Sequence, residues 1–443
     1  MTTVTVVGGG LAGSEAALQL AARGIACRLV EMRPDVPTPA HRSGRLAEIV
    51  CSNSLKSTAP ATPGKLLKDE LDRLGCRLLA CARAAAVPAG AALAVDRDEF
   101  SARVEEAVAA EPLISLERGE IRGLPALPDH LWLLATGPLT GAPLVAALAA
   151  ITGNPALHFF DAIAPTVTLE SLDLDVLYRA ARYDKGEADY LNAPLDKAGY
   201  EAFHAALMAA ERAEVKAFDR SELFEGCQPV EEIAAGGLQS LAFGPLRPVG
   251  LVDPRTGRRP YAVVQLRQEN REGTLYGLVG FQTRLKQGAQ REVFRSIPGL
   301  QNAEFVRYGQ LHRNFYLDSP RCLARDFSLR ARPDVFVAGQ MTGVEGYVES
   351  IASGLVTALH AAARINGSPL PALPPQTMLG GLLGGFLFDT TAARFAPMNA
   401  NFGLLPDLPI AVRGKRDRKL AKAEAALAAL ESWAGVAGVR AAG

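Results

Sequence analysis

The chain has 443 residues, too many for one compact core and enough for two or three domains. Hydrophobic residues make up 49% and charged residues 21%, which excludes a mostly disordered chain. Lys plus Arg equals Asp plus Glu at 47 each, so no global positive field marks a nucleic-acid binder, and any RNA contact must rest on local patches.

The N-terminus begins directly on a strand-like TVTVV, with no basic leader and no apolar run near the roughly 18 residues that span a bilayer. This predicts a cytoplasmic protein with no membrane partner. Residues 3–31 read strand, glycine turn, helix, strand, the opening of a parallel βαβ unit. Gly8-x-Gly10-x-x-Gly13 lies where the period switches, and the next strand ends in Glu31. Gly8 permits the tight turn, Gly10 lets the backbone approach a pyrophosphate, and Gly13 allows close helix–strand packing. The amides of Gly9, Leu11 and Ala12 stand at the helix N-terminus, which favours phosphate, and Glu31 can accept from ribose hydroxyls. Together they predict dinucleotide binding.

Residues 32–60 are polar and broken by proline; helices are predicted near 64–82 and 97–110, the second after a DRDEF turn. A hairpin-like stretch, ISLERGEIRGL then HLWLLATG, follows. From 159 to 323 the texture turns to mixed strands, acid-rich helices and Arg-rich turns, which predicts an inserted domain. A second strand–glycine–helix unit begins at Asp334, and the tail ends in a basic, Ala-rich amphipathic helix. The predicted fold is α/β: a Rossmann-like FAD-binding domain over 1–158 and 324–443, with an α+β insertion at 159–323. FAD is favoured because LLATG (133–137) and VFVAGQ (335–340) resemble the strands that close the FAD domain of glutathione-reductase-like flavoproteins. The helix expected directly after Gly339 and Gln340 offers its first amides to the flavin pyrimidine edge.

The cysteines at 27, 51, 76, 81, 227 and 322 show no paired metal-ligand spacing, so no metal is predicted, and free thiols suit a reducing compartment. Cys51 and Cys227 sit in polar, turn-like settings, where a reactive thiol is best placed.

The segments LAEIVCSNSLKS, FEGCQPVE, GPLRPVGLVDPRTG, YAVVQLRQEN, LVGFQT, IPGLQNAEFVRYG, GQMTGVEGYVES and PMNANFGLLP together resemble the folate- and FAD-dependent tRNA (uracil-5-)-methyltransferase family, TrmFO, over nearly the whole chain. The resemblance implies a flavin reduced by NAD(P)H and a methylene group taken from methylenetetrahydrofolate. It implies delivery through the flavin to the T-loop uridine, position 54, of transfer RNA, with no obligatory protein partner. It also implies that Cys227 adds to uracil and Cys51 helps remove the carbon 5 proton, or the reverse; that His312 lies near the folate; and that Tyr347 lies near the flavin. Two departures stand out: Ala193 where relatives often carry cysteine, and Ala235–Gly236 where a basic pair is commoner. Candidate phosphate contacts are Arg247, Arg255, Arg258 and Arg259 in the insertion, and Arg413, Lys415, Arg416, Arg418 and Lys419 at the last helix.

Three rival readings remain. One is a tRNA wobble-uridine enzyme similar to MnmG, whose extra C-terminal region this sequence lacks. Another is an NAD(P)H-dependent thiol oxidoreductase, whose usual CxxC is absent. The last is a non-enzymatic RNA-binding or redox-sensing flavoprotein.

Overall fold

The structure is a computed structural model that describes residues 2–155, 157–184, 187–213, 228–389, 391 and 395–439. Its first sheet has six strands in the order Ser328–Leu329, Arg332–Val337, His130–Leu134, Thr3–Val7, Cys27–Glu31, Ile114–Arg118. All neighbours are parallel except the terminal pair formed by Ser328–Leu329. Val4, Val6, Leu29, Leu133 and Val335 are fully buried, the near-continuous apolar texture of a parallel sheet covered on both faces.

The hairpin expected over 114–137 does not form. Ile114–Arg118 pairs with Cys27–Glu31 at the sheet edge, whereas His130–Leu134 pairs with Thr3–Val7 two strands away. Both are parallel to their partners, so the connection between them crosses the sheet instead of turning back. The helix expected over 64–82 is two, Pro63–Arg73 and Arg77–Ala84, broken at Gly75 with φ +75°. Helix Arg97–Ala109 forms as expected, capped by the Asp96 carboxylate accepting from the Asp98 and Glu99 amides at 3.0 Å each.

Every residue of helix Leu11–Ala21 is buried, including Glu15. That carboxylate accepts from the amides of Arg77 and Leu78 at 3.1 and 2.9 Å and so caps the neighbouring helix; burial holds it above the usual carboxylate range. Glu70 does the same for Met378 and Leu379 at 2.7 and 2.8 Å, and burial pushes it up to about 8.

The second sheet is wholly antiparallel, in the order Tyr178–Ala180, Tyr190–Leu195, Ala262–Gln268, Leu275–Leu278, Thr166–Thr168, Phe305–Arg307. It has its own core around Tyr200, Phe203, Tyr276, Phe281 and Phe294. Ala193 is fully buried there, opposite Val264, so a methyl fills a position inside the packed sheet. A two-stranded antiparallel ribbon, Leu157–Ala162 with Leu311–Tyr316, carries the chain between the two sheets. A small third sheet, Ser54–Ser57, Ala92–Val95 and Ala86–Val87, flanks them.

Candidate functional site: a cavity between the glycine turn and a clamped cysteine loop

The glycine turn does what its spacing predicts. Gly8 has φ +101°, and a Cβ there would lie 2.6 Å from the Ala135 carbonyl oxygen on the neighbouring strand. A Cβ on Gly13 would stand 1.8 Å from the Gly8 carbonyl oxygen, so helix and strand approach closely only without it. Gly10, which caps helix Leu11–Ala21, has nothing within 4 Å of its Cβ position among the described residues and opens onto a cavity of about 320 Å³.

That cavity gathers the predicted residues from distant parts of the chain: Gly8, Gly10, Leu11, Ala12, Glu31, Gly339, Gln340 and Tyr347, with Cys51 and His312. Gly9 works from behind, its amide donating to Glu31 Oε2 at 2.8 Å. The Glu31 carboxylate also accepts from the Arg33 amide, Nε and Nη2 at 2.9, 3.0 and 3.3 Å. Four donors fill its lone pairs in this structure.

The helix expected directly after Gln340 begins later. Gly339–Thr342 is a 3₁₀ turn, Gly343 and Gly346 take φ of +91° and +113°, and the long helix runs Tyr347–Ile365. The two left-handed glycines break the helix, and they bring its N-terminus to the cavity through Gly346, Tyr347 and Ser350. A Cβ on Gly354 would meet the Ala12 carbonyl oxygen at 2.2 Å, which seats this helix against helix Leu11–Ala21.

Cys51 lies on an irregular loop. Its amide and that of Ser52 donate to the Tyr347 hydroxyl at 2.7 and 3.2 Å, and its thiol donates to the Ala162 carbonyl at 3.5 Å. Burial, with Cys51 nearby, pushes the Tyr347 phenol well up, so it stays protonated. The thiols of Cys27, Cys76, Cys81 and Cys322 are all raised by burial, Cys27 to about 12, which leaves them inert. Cys227 lies outside the described residues. Beyond that stretch, the Val230 amide donates to the Gln282 carbonyl, and the adjoining Thr283 amide to the carbonyl of Ile163, a cavity residue.

His312 is 8% exposed and its Nε2 has no hydrogen-bond partner among the described residues; burial lowers its basicity, so it is neutral near pH 7. It stands opposite Asp161 in the ribbon. Sequence reasoning missed several lining residues: Lys56, Asp161, Asn314 and Glu345. Glu345 accepts from Gln340 Nε2 at 2.5 Å, and burial together with Asp161 raises its carboxyl well above the usual range. Its only sequence signal is its place between two glycines in GVEGY. A larger cavity, about 1320 Å³, lies between Arg325, His360, Phe388 and Leu405 and collects none of the predicted residues.

Relatives match this chain over nearly its whole length. The methylenetetrahydrofolate--tRNA-(uracil-5-)-methyltransferase TrmFO of Desulforudis audaxviator (strain MP104C) is 53% identical over 97% of this chain and 98% of its own. The protein of the same name from Desulfitobacterium hafniense (strain Y51) is 50% identical over 99% of this chain and 100% of its own. This chain belongs to the TrmFO family. Residues 3–369 also match the wider family described as glucose inhibited division protein A. Aquifex aeolicus GidA, in its form II crystal, superposes with a TM-score of 0.70 at 14% identity, covering 98% of this chain and 73% of that one, which shows the shared fold.

The predicted basic residues of this TrmFO-family chain do not line the cavity. Arg247, Arg258 and Arg259 are exposed on the insertion, and Arg255 is tied to Asp253 by two bonds of 3.0 and 2.8 Å. Arg413, Lys415, Arg416 and Arg418 are exposed at the start of helix Lys415–Ala437, and the Lys419 ammonium sits 5.4 Å over the Phe402 ring. Among the described residues no helix is long and apolar enough to cross a membrane.

Proposed function

We propose that this chain methylates carbon 5 of the T-loop uridine of transfer RNA in the cytoplasm, with methylenetetrahydrofolate as one-carbon donor and FAD as cofactor. The observation that carries this reading is that one cavity joins the Gly8–Gly13 turn, a thiol at Cys51 and the buried imidazole of His312, whose Nε2 has no partner among the described residues. The turn fits a dinucleotide: open space at Gly10, a helix N-terminus beside it, and an acid at Glu31. When bound, the flavin, reduced by NAD(P)H, supplies the electrons that bring the transferred carbon to the methyl level.

The residues then divide the work. A thiolate adds to uracil carbon 6 and makes carbon 5 an enolate carbon, which attacks the carbon–nitrogen double bond of the one-carbon unit as its π pair moves to the carrier nitrogen. A base then takes the carbon 5 proton as the bond to that nitrogen breaks, leaving an exocyclic methylene; a hydride from the reductant makes it the methyl group as the carbon 6–sulfur bond breaks to restore the ring. Cys227 is the thiol that adds and Cys51 the partner that takes the proton. His312, neutral and facing the cavity, holds the pterin. The exposed arginines and lysines of the insertion and of the last helix position phosphates. Residues 159–323 form the substrate domain, and the target uridine leaves its stack to enter, at a cost of about a few kcal/mol.

The test mixes the purified yellow protein with labelled methylenetetrahydrofolate, NADPH and an unmodified tRNA transcript. Labelled 5-methyluridine is expected. No product from an FAD-loaded sample would sink the methyltransferase reading in favour of a thiol oxidoreductase.

A further inference from the structure

Five consecutive residues, 49–53, carry Cys51, and side chains from distant elements hold them. Arg97 Nη1 donates to the Ile49 and Val50 carbonyls at 2.9 and 3.1 Å. Arg307 Nη1 donates to the Val50 carbonyl at 2.9 Å. Arg267 donates from Nε to Asn53 Oδ1 and from Nη2 to Ser52 Oγ, both at 2.9 Å. Asn53, fully buried, donates to the Val95 and Gln268 carbonyls at 3.0 Å each. Arg97 is held in turn by Glu269 at 3.1 Å, whose other oxygen accepts from Thr166 at 2.9 Å.

Arg267, Gln268, Glu269, Thr166 and Arg307 all belong to the second sheet or its immediate edge, whereas the loop and Arg97 belong to the flavin-side portion of the chain. A loop that needed only to be stable would be cheaper to pin with apolar side chains, because burying guanidiniums is costly. Burial and the neighbouring Arg97 bring Arg307 down to about 10, a sign of that cost. What guanidiniums supply instead is direction: fixed forks of donors that set where backbone carbonyls and short side chains stand.

We propose that Arg97, Arg267 and Arg307, with Glu269, are positioning residues that set where the Cys51 sulfur stands in the cavity and tie that position to the seating of the second sheet. None of the four lines the cavity, so they act through the loop. The inference rests on the reading of Cys51 as a working thiol, and two separate readouts keep the ideas apart.

The experiment compares Arg267→Ala, Arg267→Lys and Glu269→Gln with the parent as flavin-loaded holoenzymes. Alkylation of Cys51 by iodoacetamide is followed by peptide mass spectrometry, beside kcat and KM for tRNA methylation. Arg267→Ala is expected to change the Cys51 alkylation rate by about threefold or more. Its kcat is expected to fall by about tenfold or more while KM for tRNA moves less. Arg267→Lys should fall between, since one ammonium cannot serve both Ser52 and Asn53 in the fork geometry. Should Arg267→Ala fail to load flavin, Glu269→Gln decides by the same readouts.

An alkylation rate within about twofold of the parent in a flavin-loaded variant overturns the clamp, because the sulfur then keeps its surroundings without the arginine. A changed alkylation rate supports it, even if methylation is unchanged; in that case, as with a Cys51→Ala variant that still methylates, the reading of Cys51 as a working thiol is what fails.

Discussion

The two ends of the cavity are built in opposite ways. At the dinucleotide end the shape comes from missing atoms: Gly8 and Gly13 pack so closely that a methyl on either would overlap a carbonyl or the neighbouring strand. At the cysteine loop it comes from long side chains that hold the loop, with Arg97, Arg267 and Arg307 behind it and Tyr347 on the cavity side. The first is written within a few consecutive residues; the second needs the whole fold.

Gly13→Val should break the first end outright. A Cβ would lie 1.8 Å from the Gly8 oxygen, so we expect a loss of about 3 kcal/mol or more and no retained flavin absorbance. Cys51→Ala tests the second, and Cys227→Ala tests the thiol proposed to add to uracil: each should lower methylation by about a hundredfold or more in single-turnover assays while the protein stays yellow. Normal turnover in either variant removes that thiol from the mechanism. Gly10→Ala sharpens the contrast with Gly13, because nothing lies within 4 Å of the added methyl except cavity space. It should fold with a melting temperature near the parent's, yet bind FAD about tenfold more weakly in reconstitution titrations.

Glu70 provides a pH test away from both ends. Its folded value near 8 exceeds the ordinary 4.5, so its stabilising proton is fully held below about 4.5 and is lost as pH rises through about 8. Melting temperature should therefore fall between about pH 5 and about pH 9, and Glu70→Gln should flatten that fall; an unchanged slope would show that Glu70 does not titrate there. The smallest effect belongs to Lys415→Gln. It should weaken tRNA binding only a fewfold and reduce the salt slope by about one, read from binding isotherms at several salt concentrations.

Legibility followed the same divide. Strand Thr3–Val7, the glycine turn and helix Leu11–Ala21 were readable because period, glycine spacing and acid all lie within 3–31. The Arg97 helix was readable from its Asp96 cap. The hairpin over 114–137 was not, because parallel partners are chosen by the sheet and not by the intervening turn. The late start of helix Tyr347–Ile365 was hidden in two glycines whose left-handed backbone no pattern of apolar residues records. Arg97, Arg267 and Arg307 are scattered over more than two hundred residues of sequence, and nothing local marks them as neighbours of Cys51.

The ribbon of Leu157–Ala162 and Leu311–Tyr316 is where the second sheet joins the first. His312 and Asp161 face each other within it, and both line the cavity. Any rocking of the insertion as a large nucleic acid docks must flex this stalk. With His312 as the proposed pterin contact, the imidazole would move with the stalk, and admission of the RNA and adjustment of the pterin seat would be one mechanical event.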